Sequence, residues 1–291
     1  MKVSGFSFIK DAVLYDFPIV EAITSVLPIC DEFVIAVGES SDGTIELIKS
    51  IDSDKIRIIE TVWKNPGQKG EHVLAEETNK AFAAVAENSD WAFYIQGDEV
   101  VHEKYLDTIR QAMRELKDDP LVDGLLFKYH HFYASYDYIG ASSNWYQHEI
   151  RVIKNNRDIY SYRDAQGFRK GNNEKLNVVP IDAYVYHYGW VKDPLVMQRK
   201  NEQSTKYGYS RDWNNVNEGD IREFDYGRYL NNLSLFKDSH PEVMKRYIAK
   251  KNWTYKYDMS MNRFNLKDGF KRFFKKYLGL DFYYSNYVIR K

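Results

Sequence analysis

Cysteine is nearly absent from the 291-residue sequence, which contains only Cys30. A single cysteine excludes an internal disulfide framework and any zinc site built from several thiolates, and it suggests a reducing compartment. The sequence also lacks an excess of charge of one sign, because 41 Lys and Arg stand against 42 Asp and Glu. We therefore expect no nucleic-acid partner, and an anionic ligand must be bound by a local group of cations.

Long apolar runs are lacking as well. Residues 1–6 do not form the apolar stretch of a signal peptide, and no segment approaches the roughly 18 apolar residues of a membrane-spanning helix. The sequence therefore predicts a cytoplasmic protein. It also contains no Gly-x-Gly-x-x-Gly after the first strand, no Gly-Lys-Ser/Thr loop, no Gly-x-Ser-x-Gly elbow and no His-Glu-x-x-His helix. Dinucleotide, P-loop, esterase-type and zincin sites are thus not expected.

What the sequence does contain is an alternation of strand and helix patterns over its first 130 residues. Short apolar runs predict strands at residues 3–9, 33–37, 56–59, 91–95 and 124–129. Segments with helical spacing between them predict helices at residues 19–27, 44–51, 73–85 and 104–116. This alternation predicts an α/β fold with a mostly parallel central sheet flanked by helices.

The pattern changes after residue 130. Residues 130–164 are rich in Tyr, Ser, Asn and Trp and show weak periodicity, and further strands are predicted at 150–153 and 183–186. From residue 194 onward the chain is polar and is predicted to be mostly helical. Much of the tyrosine, of which the chain has 24 residues, lies beyond residue 128. This many rings with polar tips suggests partly solvated, half-buried surfaces in addition to a core.

Acidic residues stand where two predicted strands end. Asp98 and Glu99 follow the fourth strand beside Gly97, and Glu39 follows the second strand. Because ligands of open α/β sheets bind at the carboxyl ends of strands, Asp98 is a candidate for holding a divalent cation on a diphosphate. Glu39 is a candidate for contacting a base or a ribose. Asp98 and Glu99 are equally consistent with the acidic first turn of the next helix.

Two further segments have two interpretations each. His187 lies in the aromatic sequence 186–190, where it is either a core histidine or a metal ligand, and proximity to Asp98 would favour the ligand. Residues 145–149 and 164–168 combine aromatic rings with carboxylates. They suit the binding of a sugar ring, and they are also what an ordinary Tyr-rich surface contains.

Three segments together resemble the family 2 glycosyltransferases, which have the GT-A fold. They are Ser7-Phe8-Ile9-Lys10-Asp11, the strand from Asp31 that runs into Ser40-Ser41-Asp42-Gly43-Thr44, and Trp91 to Glu99. The resemblance covers about the first 130 residues, and residues 151–154 and 187–190 extend it. It implies transfer of a sugar, with inversion, from a nucleotide-diphosphate sugar to a hydroxyl of a glycan or glycolipid acceptor.

The resemblance also implies a donor site that contains Mg²⁺ or Mn²⁺. The family's Asp-x-Asp motif falls on Gln96, Gly97 and Asp98, so that Gln96 replaces the first acid and Asp98 matches the metal-binding one. His187 matches a late histidine that completes the metal or diphosphate site. The base is expected in a pocket formed by three residues, Phe8, Ile9 and Glu39.

The remaining expectations concern the acceptor side. Asp164 is the first candidate for the base that deprotonates the acceptor hydroxyl, and Glu149 is the second. Residues 1–128 would form the nucleotide-sugar-binding half and residues 129–193 the acceptor half of one GT-A domain, followed by a mostly helical extension over 194–291. Seven tyrosines are expected to line an acceptor cleft, namely Tyr129, Tyr133, Tyr136, Tyr138, Tyr146, Tyr160 and Tyr162.

The last predicted helix has a basic and an aromatic side. Lys271, Arg272, Lys275 and Lys276 alternate with an apolar set at helical spacing, Phe270, Phe273, Phe274, Tyr277 and Leu278. Such a helix either contacts an anionic membrane surface or packs its rings on the protein's own domain.

Other protein classes fit less of the sequence. A carbohydrate-binding module explains the aromatic residues but not the ordered acids at strand ends, and a nucleotidyltransferase would carry a Gly-rich basic loop after the first strand. The alternative function is a non-catalytic protein that binds carbohydrate or nucleotide sugar on a degenerate glycosyltransferase scaffold, which the replacement at Gln96 motivates.

Overall fold

A computed structural model describes residues 1–63, 72–142, 145–206, 223–227, 232–262 and 285–290. Its first half is a parallel sheet of four strands in the order β3-β2-β1-β4, formed by β1 (Val3–Ile9), β2 (Glu32–Gly38), β3 (Ile56–Thr61) and β4 (Trp91–Tyr94). All seven residues of β1 and all four of β4 are buried. Apolar side chains on both sides of a strand require cover on both faces of the sheet, which helices provide.

Four helices cover these two faces. They are α1 (Ile19–Val26), α2 (Thr44–Lys49), α3 (Val73–Ala83) and α4 (Leu106–Glu115). Helices α1, α2 and α4 contribute to one hydrophobic cluster and α3 contributes to another on the opposite face. The α/β prediction is therefore confirmed, and the carboxyl ends of β1 and β4 lie side by side.

The second half of the sheet is mixed in direction. Beyond β4 the order continues β8-β6-β11-β10-β9, and β8 is antiparallel to both of its neighbours. The strands are β5 (Glu99–Val101), β6 (Gly124–Tyr133), β7 (Ser135–Gly140), β8 (His148–Lys154), β9 (Ile159–Tyr162), β10 (Gly167–Lys170) and β11 (Glu174–Trp190). Parallel pairing thus holds among β1 to β4, whereas short connections such as the β9–β10 turn give antiparallel pairs.

Strand β11 connects the two halves of the molecule. It is 17 residues long, runs parallel to β6 and pairs antiparallel with β5. His187 is thereby opposite Glu99 on one side and opposite His131 on the other. This pairing brings the late aromatic segment of the sequence to the acidic end of β4.

The described residues beyond 194 contain both helices and strands, and the mostly helical extension stays a prediction. They contain α5 (Pro194–Lys206) and the short α6 (Lys245–Ala249), but also β12 (Leu233–Leu235) and β13 (Tyr287–Ile289), which pair with β7 and β11. The Trp253 indole nitrogen donates to the Ala134 carbonyl oxygen at 2.8 Å. This hydrogen bond ties an aromatic side chain of the region to the sheet.

Two expectations about membranes can be placed on this fold. In the described part of the chain, no helix is both long and apolar enough to cross a bilayer. The basic and aromatic helix predicted around residues 270–278 lies outside the described residues.

Candidate functional site

A cleft of about 360 Å³ opens where β1 and β4 end. Phe8, Phe17, Trp63 and Trp190 give it an aromatic lining, and charged groups from Lys10, Lys200, Asp98 and Asp164 face the same space. The cleft brings together seven of the nine residues that the sequence analysis selected, namely Phe8, Ile9, Gln96, Gly97, Asp98, Asp164 and His187. An aromatic wall beside paired cations and acids can hold a planar base next to an anionic group.

The expected tyrosines do not line this cleft. Tyr129, Tyr133 and Tyr136 are at most 8% exposed, and each packs in a hydrophobic cluster of the interior. The Tyr133 hydroxyl donates to the Tyr226 carbonyl oxygen at 2.9 Å, and the Tyr129 hydroxyl donates to Glu99 at 2.8 Å. Their polar tips are satisfied inside the protein, so these rings serve packing rather than an open surface.

Glu39 also lies apart from the cleft lining. It is exposed just beyond β2, and its backbone carbonyl oxygen accepts a hydrogen bond from the Lys10 ammonium. The expected contact between Glu39 and a base therefore has no counterpart in this cleft, which instead presents Lys10 at that edge.

A buried ion pair fixes the end of β4. Glu99 and Arg151 are both fully buried, and two nitrogens of the guanidinium donate to the two carboxylate oxygens at 2.7 and 2.8 Å. The carboxylate also accepts from the backbone nitrogen of Gln96 at 3.1 Å, and the guanidinium donates to the Gln166 carbonyl oxygen at 3.2 Å. One bidentate pair thus holds together the strand end and the β9–β10 turn.

Asp98 is surrounded by nitrogen groups. Its Oδ2 lies 3.2 Å from the Lys200 ammonium, and its Oδ1 lies 3.7 Å from Nε2 of His187. Burial acts to raise the pKa of Asp98, but Lys200, His187 and Lys192 together hold that pKa below its ordinary value. A Cβ on Gly189 would lie 2.5 Å from Asp98 Oδ2 and 2.7 Å from His187 Nε2, so any other residue at this point of β11 would displace these side chains.

A chain of hydrogen bonds determines which nitrogen of His187 carries the proton. The Tyr146 carbonyl oxygen lies 2.8 Å from His131 Nε2, so that nitrogen carries the proton. His131 Nδ1 then accepts from His187 Nδ1 at 3.1 Å, since burial lowers the pKa of both rings and keeps them neutral. His187 Nε2 is left with a lone pair directed toward the site of Asp98.

The groups around Asp98 do not suit a divalent ion. Among the described residues no cluster of three or more His, Cys, Asp or Glu side chains exists, and only Asp98 and His187 offer ligand atoms here. Lys200 already places an ammonium on Asp98, and the fully buried Lys192 lies nearby. Burial lowers the pKa of Lys192 to about 7, and the charge of Lys200 adds to this effect. A divalent ion at Asp98 would be repelled by these cations at close range.

Gln96 presents an acceptor rather than a charge. Its amide nitrogen donates to the Ala165 carbonyl oxygen at 3.1 Å and to the Tyr94 hydroxyl at 3.3 Å. Both hydrogens of the amide are thereby used, and the side-chain carbonyl oxygen is the group left for a ligand in the cleft. Gln96 can accept a hydrogen bond from a ribose hydroxyl without adding negative charge.

Asp164 stands at the tip of the turn between β9 and β10. It is exposed and lines the cleft, and its neighbours Arg163 and Ala165 both have positive φ, at 55° and 61°. Non-glycine residues hold such angles only where surrounding contacts enforce them. Here Ala165 is buried and accepts from Gln96, so the turn holds the Asp164 carboxylate at the cleft.

Glu149 lies behind the cleft rather than in its lining. It is 3% exposed on β8, and its Oε2 has no hydrogen-bond partner. Burial raises the pKa of its carboxyl to about 8, although Arg151 acts in the opposite direction. At neutral pH Glu149 is therefore a neutral acid, which is the wrong protonation state for a base.

This raised pKa predicts a pH dependence of stability. The folded protein holds a proton on Glu149 that the unfolded chain releases above the ordinary pKa of 4.5. Stability therefore falls as the pH rises from this value and levels off above about pH 8. We expect the free energy of unfolding of wild type to fall by roughly 3 kcal/mol relative to Glu149→Gln between about pH 5 and pH 8. Urea titrations at both pH values measure this, and parallel profiles would contradict it.

Several residues of the site were not among those selected from the sequence. Lys200 comes from α5, and Lys192 precedes that helix. Their place in the sequence could have pointed to the site, because both lysines follow closely on the His187 segment. Arg151 lies in a predicted strand and in a segment that extends the family resemblance, but neither pattern predicts its partner Glu99, and no pattern points to His131. Single charged residues give no periodic pattern, so their partners emerge only from the folded sheet.

Comparisons with known proteins give structural similarities only. No protein-family model and no curated protein matches the sequence. S. aureus TarS 1-349 in complex with UDP is 13% identical with a TM-score of 0.41, covering 68% of this chain and 63% of that chain. Glucosyl-3-phosphoglycerate synthase from Mycobacterium tuberculosis, in complex with Mn²⁺, UDP and phosphoglyceric acid, is 16% identical with a TM-score of 0.31, covering 45% and 43%.

A third solved structure belongs to another class of enzyme. The 4-diphosphocytidyl-2C-methyl-D-erythritol synthase from Anaerococcus prevotii is 12% identical with a TM-score of 0.31, covering 53% of this chain and 70% of that chain. The chain spans less than two thirds of the three TarS structures that it matches, 63% of the two TarS 1-349 structures and 38% of the third. At these values the function has to be argued from the chain's own residues.

Proposed function

We propose that this chain is a glycosyltransferase that moves a sugar from a nucleotide-diphosphate sugar to a hydroxyl of a glycan or glycolipid acceptor. The observation that carries the proposal is the cleft at the ends of β1 and β4, where an aromatic wall adjoins the Asp98, His187 and Lys200 group. The resemblance of the sequence to family 2 glycosyltransferases supports the same activity. Cytoplasmic location, and contact with a membrane through the last helix, remain expectations from the sequence.

In this proposal each part of the donor has a place. The base packs on Phe8 and Trp63, whose ring centroids are 6.1 Å apart. The ribose donates to the Gln96 carbonyl oxygen, and the diphosphate lies toward the cations beside Asp98. The fixed strand end matters because small displacements of a donor site reduce the rate of transfer strongly.

The reaction follows from the second acid of the cleft lining, Asp164. Asp164 takes the proton from the acceptor hydroxyl as the acceptor oxygen bonds to the anomeric carbon. The bond from that carbon to the diphosphate breaks, and the electron pair leaves with the nucleoside diphosphate. Attack from the face opposite the leaving group gives inversion. The Mg²⁺ or Mn²⁺ that the resemblance implies has no part in these steps, because the residues present do not suit it.

Calorimetric titration with uridine, guanosine, cytidine, thymidine and adenosine diphosphates tests the donor site. We expect binding of at least one of them, and roughly tenfold weaker binding to Gln96→Leu, which loses the acceptor for the ribose. Arg199→Ala is the control, since Arg199 is exposed on α5 and does not line the cleft. Absence of binding to all five nucleotides by the folded protein would refute the proposed function.

A further inference from the structure

We infer that Lys200 takes the place of a divalent ion at this site, so that donor binding and transfer are independent of metal. This inference rests on the proposed function and specifies how its diphosphate is recognised. The geometry around one ammonium group carries it.

The Lys200 ammonium is held in position by two acceptors. It donates to Asp98 Oδ2 at 3.2 Å and to the Gly189 carbonyl oxygen at 2.9 Å. An ammonium has three hydrogens, so one remains for a phosphate oxygen. The side chain is 20% exposed and lines the cleft, which makes that hydrogen accessible to a ligand.

This arrangement gives Asp98 a different role from a metal ligand. The carboxylate fixes the cation in one position, just as it would fix a metal ion, and the Phe17 ring lies 4.8 Å from the same ammonium. A divalent ion on Asp98 would have to displace Lys200 or share the carboxylate with it. The second option places a double and a single positive charge side by side in a largely buried site.

The charges of the cleft lining favour a monovalent cation, the Lys200 ammonium, over a divalent ion. Its lining contains two acids, Asp98 and Asp164, and two lysines, Lys10 and Lys200. Gln96 is neutral, and its amide hydrogens are used by Ala165 and Tyr94. The charges of this lining cancel before a ligand binds, and the Lys200 ammonium still has one hydrogen to donate to an added diphosphate.

Transfer requires stabilisation of the leaving group. When the bond between the anomeric carbon and the β-phosphate oxygen breaks, the electron pair stays on that oxygen. An ammonium that is already in place stabilises the new charge without reorganisation. The acceptor proton goes to Asp164, so the step balances without any metal-bound water.

The experiment compares nucleotide binding with and without metal. Wild type, Lys200→Met, Lys200→Arg and the control Arg199→Ala are titrated with the nucleoside diphosphate that binds best, in EDTA and in Mn²⁺. Lys200→Met keeps the length of the side chain without its charge, and Arg199→Ala removes one charge from the adjacent exposed position. Thermal unfolding of each variant confirms that it is folded, and electron paramagnetic resonance measures free Mn²⁺ in the presence of wild type.

We expect the affinity of wild type for the nucleoside diphosphate to differ by less than about threefold between EDTA and Mn²⁺. In EDTA, the affinity of Lys200→Met should be at least roughly thirtyfold lower than that of wild type. Lys200→Arg should retain most of the affinity, and Arg199→Ala all of it. Partial recovery of Lys200→Met in Mn²⁺ would support the inference, because it would show a metal entering the place of the ammonium.

Two results would overturn the inference. Binding by wild type that is lost in EDTA and restored by Mn²⁺, with Lys200→Met unaffected, would establish a metal site and leave the proposed function intact. Failure of wild type to bind any nucleotide in either buffer would instead refute the proposed function together with the inference.

Discussion

The Glu99→Gln variant is expected to have a free energy of unfolding about 3–5 kcal/mol lower than that of wild type. Glu99 and Arg151 are both fully buried, and the substitution leaves the Arg151 guanidinium charged without its carboxylate. An uncompensated buried charge costs far more than a lost surface contact. Urea unfolding near pH 7, followed by far-ultraviolet circular dichroism, measures the difference.

An exposed ion pair provides the matched control for this prediction. Lys245 and Glu242 lie 2.6 Å apart with side chains 70% and 65% exposed. Lys245→Ala should change the free energy of unfolding by less than about 1 kcal/mol. The double variant Glu99→Leu with Arg151→Met should recover part of the loss, since it removes both charges. A change below about 1 kcal/mol in Glu99→Gln would contradict the account of the strand end.

The Asp164→Asn variant is expected to lose roughly 10²–10⁴-fold in sugar transfer while nucleotide affinity changes less than about threefold. Asparagine keeps the shape of the side chain and tolerates the constrained turn between Arg163 and Ala165, but it cannot accept the acceptor's proton. A transfer assay with a nucleotide sugar and a soluble acceptor, combined with a titration of the nucleoside diphosphate, separates the two effects.

Gln166→Ala is the control for this second prediction. Gln166 is exposed in the same turn, and it contacts Arg151 through its backbone carbonyl oxygen, which the substitution keeps. Sugar transfer and nucleotide affinity should therefore stay near those of wild type. Near-normal transfer by Asp164→Asn would remove Asp164 from the role of base. If Glu149→Gln lost sugar transfer instead, Glu149 would be the base, and this would contradict its being a neutral acid.

The first half of the fold was predictable because β1, β2 and β4 are buried on both faces. A strand such as β2, which is buried from Phe33 to Gly38, appears in the sequence as an uninterrupted apolar run over Phe33 to Val37. The acid at the end of β4 was predictable for a related reason, since ligand sites of such sheets lie where strands end. Seven of the nine selected residues meet in one cleft as a result.

The second half resisted prediction for physical reasons. Strand β11 owes its 17 residues to pairing with β5, β6, β10 and β13 along its length, and no local pattern encodes those pairings. A tyrosine is equally able to line a wet cleft or to fill a core, and for Tyr133 a carbonyl oxygen 93 residues away decides the matter. The partner of Asp98 lies 102 residues further along the chain, on Lys200.

Release of nucleoside diphosphate from a panel of nucleotide sugars tests the central claim most directly. We predict that wild type releases the diphosphate from at least one nucleotide sugar in the presence of an acceptor, and that Asp98→Ala releases none above background. Binding without any release would favour a non-catalytic sugar-nucleotide binder on the same scaffold. No release from any nucleotide sugar by the folded protein, with every common base and several acceptors tested, would contradict the claim that this cleft carries out glycosyl transfer.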